Sequence, residues 1–250
     1  THRVEPALVR PATVELPRTR TNGGPVRTEI SFSPSFAMAT VHLDQGESAK
    51  AEAGAMMAMS SNVEIATSTQ GGIMKGLRRS VLGGESFFMN TFTSTGPGAH
   101  VVVAPALPGD IITWPISGKT VYLQSGSYLA SPETIDIDSK WGGAKTFFSK
   151  EGLFMLKCTG TGDLVVSSYG AIQAIDLPAG QTYTVDTGHM VGWEEGVGYE
   201  VQKAGSWKST VFGGEGLVVK LTGPGRVYIQ TRSPSDFISW LVPKLPTQRS

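Results

Sequence analysis

The stretch Gly46-Glu47-Ser48-Ala49-Lys50-Ala51-Glu52-Ala53-Gly54-Ala55-Met56-Met57-Ala58 decides the fold, because its landmarks return twice further along the chain. Gly118-Lys119-Thr120 leads to Gly126 and Tyr128-Leu129-Ala130, and Gly180-Gln181-Thr182 leads to Gly188 and Met190-Val191-Gly192. In each copy two glycines stand eight apart, with Ser or Thr two after the first. Short apolar-alternating segments broken by glycine read as strand, turn, strand, since successive strand residues face opposite sides and glycine supplies turn and bulge conformations.

A second landmark follows each copy: Ser80-Val81-Leu82-Gly83-Gly84-Glu85-Ser86-Phe87, Thr146-Phe147-Phe148-Ser149-Lys150-Glu151-Gly152-Leu153 and Thr210-Val211-Phe212-Gly213-Gly214-Glu215-Gly216-Leu217. An apolar segment and a Gly-x-Gly turn come next, at Gly96-Pro97-Gly98, Gly160-Thr161-Gly162 and Gly223-Pro224-Gly225. Two landmarks repeated three times in one order imply an internal triplicate, with repeats at about 29–111, 112–176 and 177–233. A β-unit of this length closes a core poorly alone, so the three are expected to pack together. The expected fold is all-β: three tandem β-sandwich repeats forming one body, residues 29–242, with pseudo-threefold symmetry. Structural turns are expected at Gly46, Gly54, Gly98, Gly118, Gly126, Gly162, Gly180, Gly188 and Gly225.

The ends differ from the body. Residues 1–28 carry Pro6, Pro11, Pro17, Pro25 and few large apolar side chains, so they read as an extended arm with no core of its own. Arg3, Arg10, Arg18 and Arg20 are its candidate partner contacts. At the other end, 234–250 is an amphipathic segment and tail. Asp236 to Val242, ahead of Pro243, is the one stretch that suits a short helix, and Phe237, Trp240 and Leu241 there are candidate contacts with a partner groove or membrane interface or, as the plainer reading, a lid over one end of the β-body.

Composition narrows the function classes. Lys plus Arg equals Asp plus Glu at 21 each, so a broad polyanion-binding surface is not expected. Charged residues are only 17% of the chain, and low net charge leaves little repulsion between copies, which favours protein partners or self-association. The single Cys158 forms no intrachain disulfide and reads as a buried small hydrophobe. The uncharged run Ser86 to Gly109 is interrupted by Gly96, Pro97, Gly98, Pro105 and Pro108, so no transmembrane helix is expected. The chain opens on Thr1 without an apolar signal core, as it would if a leader had been cleaved or left out.

The segments Ala51-Glu52-Ala53-Gly54-Ala55-Met56, Ala104-Pro105-Ala106-Leu107-Pro108-Gly109-Asp110-Ile111, Ser167-Ser168-Tyr169-Gly170-Ala171-Ile172, Val185-Asp186-Thr187-Gly188-His189 and Thr222-Gly223-Pro224-Gly225-Arg226-Val227-Tyr228-Ile229-Gln230-Thr231-Arg232 resemble the altered-inheritance-of-mitochondria family of bacteria, archaea and mitochondria. The similarity runs from about Ile30 to Val242 and leaves the arm outside it. The resemblance implies three β-domains like the subunit of the tryptophan RNA-binding attenuation protein (TRAP), set side by side as neighbours in that ring. It implies no enzymatic activity, and for the mitochondrial branch an association with the inner membrane and its complexes. It leaves two compartments open: the cytoplasm in a prokaryote, or a mitochondrion or other organelle, peripheral to its membrane, after removal of a leader.

Chemical motifs are sparse. Gly118-Lys119-Thr120 has Thr113 where a phosphate loop needs glycine. His189 near Asp186 is the best-placed candidate base, against the plainer reading of a turn histidine satisfied by hydrogen bonds. Glu85, Glu151 and Glu215 would stand at equal heights around a symmetry axis, able to hold a hard cation or, more simply, to cap outer turns. Lys75-Gly76-Leu77-Arg78-Arg79 is the dense basic cluster of the body and has no counterpart in the other repeats, so nucleic acid is not expected. The reading is a non-enzymatic scaffold or accessory subunit with no catalytic residues, metal or cofactor. Peripheral membrane association is compatible with it, and the alternative is a small-ligand or RNA module using clefts between repeats.

Overall fold

The computed structural model describes residues 26–68, 87–139, 154–203 and 217–246. Residues 1–25 of the arm, with Arg3, Arg10, Arg18 and Arg20, nearly all of each second landmark, including Glu85, Glu151 and Glu215, and the basic cluster at 75–79 lie outside the described residues. The end of the expected arm belongs to the body, since Val26 is buried in its first core and Arg27 and Thr28 open its first strand. The rest is a β-protein with one short C-terminal helix.

The first third holds β1 (Arg27–Ser31), β2 (Met38–Leu43), β3 (Ser48–Glu52), β4 (Met56–Met59), β5 (Val63–Ser68), β6 (Met89–Ser94) and β7 (Ala99–Val103). Its strands alternate as the sequence predicts: Ala39, Val41 and Leu43 of β2 and Ala99, Val101 and Val103 of β7 are buried, while the residues between them are not. Antiparallel ladders join β2 to β7, β4 to β7, β3 to β6 and β5 to β6, and β1 adds to the outer side of β2.

The middle third has β8 (Ile111–Gln124), β9 (Tyr128–Pro132), β10 (Ile135–Asp138) and β11 (Met155–Ser167). Here two long strands replace four short ones, and the β8–β11 ladder shifts register between Thr159 and Thr161. β9 and β10 both pair with β11. The last third has β12 (Ile172–Leu177), β13 (Thr182–Asp186), β14 (Met190–Glu194), β15 (Gly198–Lys203), β16 (Leu217–Thr222) and β17 (Gly225–Gln230). Its ladders join β12 to β17, β14 to β17, β13 to β16 and β15 to β16.

The same bulge sits at matching places in all three thirds. One residue is left out of register between Met56 and Ala58, Tyr128 and Ala130, and Met190 and Gly192, against β7, β11 and β17 respectively. Gly46, Gly118 and Gly180 share positive φ values of 82°, 66° and 76°, and Gly54, Gly98, Gly162 and Gly225 are also positive. Gly118, Gly162 and Gly225 are not the turns expected of them, since they lie within β8, β11 and β17, the long middle strands β8 and β11 running straight through where the other thirds turn. Gly126 and Gly188 do lie in turns, the single 3₁₀ turns Ser125–Ser127 and Thr187–His189, but without the left-handed backbone.

Two further ladders knit the thirds together. β9 pairs with β3, and β14 pairs with β8. The result is a continuous path β12-β17-β14-β8-β11-β9-β3-β6-β5, flanked by a separate β1-β2-β7-β4 sheet and a separate β13-β16-β15 sheet. A closed threefold arrangement would need a third ladder, between β4 and β13, and among the described residues none is formed. The expected division at 176/177 also moves: it cuts β12 ahead of Leu177, yet the whole of β12 pairs with β17, so the last third begins at Ile172.

The first two cores each borrow from the next third. The first is built on Val41, Phe92 and Val101 and takes Leu129, Ala130 and Val165 from the middle third; the second takes Val191 and Tyr228 from the last. The third core, around Trp193, Val219 and Val227, is edged by the partly buried Tyr183, Tyr199 and Val201. Helix α1 (Pro234–Leu241) follows, where the sequence placed a short helix. Ser233 caps it, accepting from the Asp236 N–H, and a 3₁₀ turn at Val242–Lys244 ends it at Pro243.

Candidate functional site

The connections between thirds converge on one end of the body. The Ala37 N–H donates to Gly109 O at 3.0 Å, the Asp110 N–H to Gly170 O at 3.0 Å, and the Arg232 N–H to Tyr169 O at 3.2 Å. Asp110 is buried there; its carboxylate accepts from the Ile111 N–H and from the Ser33 hydroxyl, tying down the β1–β2 loop. This stitching gives the loop 32–37, the linkers at 105–110 and 168–171, and the start of α1 one shared foundation.

From this foundation large apolar side chains face water. Phe36 is 74% exposed, and Phe32 is 72% exposed with φ at 61°. A left-handed backbone at a bulky residue costs of order 1–3 kcal/mol, and such strain tends to gather at working sites. Helix α1 is held by Phe237, whose ring meets Tyr169 edge-on at 5.9 Å and stacks on Trp240 at 6.2 Å. No residue of α1 is buried, and Ile238, Trp240, Val242 and Leu245 are all more than half exposed. Lys244 Nζ stands 4.6 Å above the Trp240 ring. The helix is therefore fixed along one side and open on the other.

Of the contacts expected at this end, Trp240 is exposed, whereas Phe237 and Leu241 are half-buried. Sequence reasoning missed Phe32 and Phe36, although Phe32-Ser33-Pro34-Ser35-Phe36 is an aromatic pair framed by Ser and Pro between two strands.

The ionisable groups do not assemble an acid-base site around His189. The Asp186 carboxylate accepts from the Gly188 N–H at 2.9 Å, and His189 Nδ1 lies 2.8 Å from Gln230 O, so this nitrogen is the donor. The hydrogen-bonded turn histidine is what the structure contains. His42 and His100 face each other across β2 and β7 at 6.3 Å; burial, then Arg27, lower the His42 pKa. Glu52, at the end of β3, is pushed up to about 7 by burial. Among the described residues no three His, Cys, Asp or Glu side chains are grouped to hold a metal, and no helix is long and apolar enough to cross a membrane.

With the geometry in place, comparison with known proteins adds a lineage. The sequence profile of the family described as mitochondrial biogenesis AIM24 matches residues 28–232. The chain belongs to this family. An uncharacterised protein of Streptococcus pyogenes serotype M6 is 29% identical over 230 residues, covering 89% of this chain and 92% of that protein. An X-ray crystal structure of a Streptococcus pyogenes protein superposes with a TM-score of 0.72 at 27% identity, covering 88% of this chain and all of that one. The AIM24 match begins at Thr28, inside β1, and ends at Arg232, just before α1.

Proposed function

We propose that this AIM24-family chain is a non-enzymatic scaffold or accessory subunit that acts through protein–protein contacts in a larger assembly. The observation that carries the reading is the cluster of exposed apolar side chains on α1 and the β1–β2 loop, raised on loops that are hydrogen-bonded to one another. An isolated soluble domain gains nothing from a strained, exposed Phe32 or an uncovered Trp240. Burying a side chain of that size against a partner is worth roughly 1.5–3 kcal/mol. The family description, mitochondrial biogenesis, is compatible with an assembly role.

The body carrying these contacts is read as three TRAP-like β-sandwich units side by side. The recurring pairings and the recurring bulge support it, since unrelated units would not repeat a bulge at matching residues.

The test is affinity capture of the intact chain from its source, beside the double variant Ile238→Ser/Trp240→Ser. Both positions are exposed, so the fold is expected to survive. Wild type should retain a protein at fixed stoichiometry and the variant should lose it. Recovery of RNA or a small molecule at one copy per chain, unaffected by the variant, would favour the ligand-binding alternative. Binding of wild type to lipid vesicles in place of any protein would move the contact to a membrane surface.

A further inference from the structure

Strand pairing between thirds follows one rule, made twice and then left unfinished. In the first junction Ala51 faces Ala130, Lys50 faces Ser131 and Ala49 faces Pro132. In the second Leu123 faces Gly192, Tyr122 faces Trp193 and Val121 faces Glu194. Counting from the paired glycines, Ala51 and Leu123 hold the same place, as do Ala130 and Gly192, so the registers are identical. Among the described residues, the places left over are β13 in the last third and β4 in the first.

The two leftovers are complementary halves. Each completed junction runs three strands of one third into three strands of the preceding one: β12-β17-β14 into β8-β11-β10, and β8-β11-β9 into β3-β6-β5. The separate sheets supply the missing pieces, β2-β7-β4 on one side and β13-β16-β15 on the other. Burial agrees. All of β9 and four of the five residues of β14 are buried, whereas all four residues of β4 are exposed, Met57 at 60%. Leu129 and Val191, at the place Met57 holds, fill the core of the preceding third. Neither β4 nor β13 carries the Pro or Lys with which proteins commonly blunt a bare edge.

We propose that copies of this chain join head to tail, β13 of one copy pairing antiparallel with β4 of the next. Carrying the register over, Val185 faces Ala58 of the neighbouring copy, Thr184 faces Met59, and Tyr183 faces Ser60. Met57 enters the core edged by Tyr183, Tyr199 and Val201. A head-to-tail contact closes into a ring or grows a filament according to its rotation. The inference rests on the contact-making role proposed above and names a second copy as one partner, at a surface separate from α1.

The experiment uses the full chain. Light scattering after size exclusion, across a wide concentration range, should give masses above 26.5 kDa in whole multiples. Lysines at both exposed positions, Met59→Lys with Thr184→Lys, place like charges opposite each other and should leave single chains. Met59→Lys with Thr184→Glu should restore the assembly. Met59→Cys with Thr184→Cys should give covalent multimers on mild oxidation, whereas moving the second cysteine to Thr182, two residues out of register, should not. A single-chain mass at every concentration, a disulfide formed only within one chain, or multimers indifferent to the paired lysines would each overturn the proposal. If assembly fails while the α1-dependent partner is still captured, the scaffold reading survives alone. If copies assemble but the α1 variant loses nothing, only the head-to-tail contact stands.

Discussion

Replacing Glu52 by Gln removes a charge from the seam between the first and middle thirds. Glu52 ends β3, the strand that β9 joins, and burial pushes its carboxyl up to about 7 from an ordinary 4.5. A folded-state pKa above the unfolded one means that the native protein binds this proton more tightly. Its contribution is fully present below about 4.5 and is lost as pH rises through about 7. A rise from 4.5 to about 7 corresponds to at most about 3 kcal/mol at ~1.36 kcal/mol per pH unit. Partial exposure and relaxation of the seam reduce this to roughly 2 kcal/mol. Urea unfolding should therefore show Glu52→Gln close to wild type at pH 4.5 and roughly 2 kcal/mol more stable at pH 8. An equal difference at both pH values, or a destabilised variant at pH 8, would refute the reasoning.

Gly109→Ala should destabilise by at least ~3 kcal/mol in the same assay, since its Cβ would collide with the Ser168 carbonyl oxygen where the linkers are stitched together. Trp193 is fully buried, yet its indole Nε1 has no hydrogen-bond partner among the described residues. Trp193→Phe sheds that orphan donor and should cost under ~1.5 kcal/mol, against about 3–5 kcal/mol for Trp193→Ala, both read from denaturant midpoints. Cys158 is buried and its thiol is pushed up to about 12 by burial, so thiol reagents should label it only after unfolding, as mass spectrometry would show.

How much of this was legible in the sequence depends on the range of the interaction concerned. Gly46 and Gly180 announced their turns because only the local backbone decides them, and Gly118, inside β8, shares their left-handed conformation. Alternation in β2 and β7 announced the core in the same way. Long-range hydrogen bonding was not legible. The boundary placed at 176/177 cut most of β12 away from its partner β17 because periodicity marks the glycines and not the ladder. β1 has no counterpart in the other thirds, so no repeat pointed to it. At His189 the plainer reading, a turn histidine satisfied by hydrogen bonds, matches the structure: the Asp186 carboxylate accepts from the Gly188 N–H and the ring donates to Gln230 O. The third seam was not legible either: the repeated glycines imply three equal seams, and among the described residues β4 and β13 form no ladder.

The unfinished seam is thus the most direct place to test the account, by amide hydrogen exchange of the intact chain read segment by segment at low and high concentration. β3 with β9 and β8 with β14 are paired within the chain and should be protected at both concentrations. The amides of β4 that point away from β7, and those of β13 that point away from β16, should exchange quickly when dilute and become protected together when concentrated. Protection of these amides at every dilution would mean that one chain closes on itself, and rapid exchange at every concentration would mean that the two edges never meet; either contradicts the account.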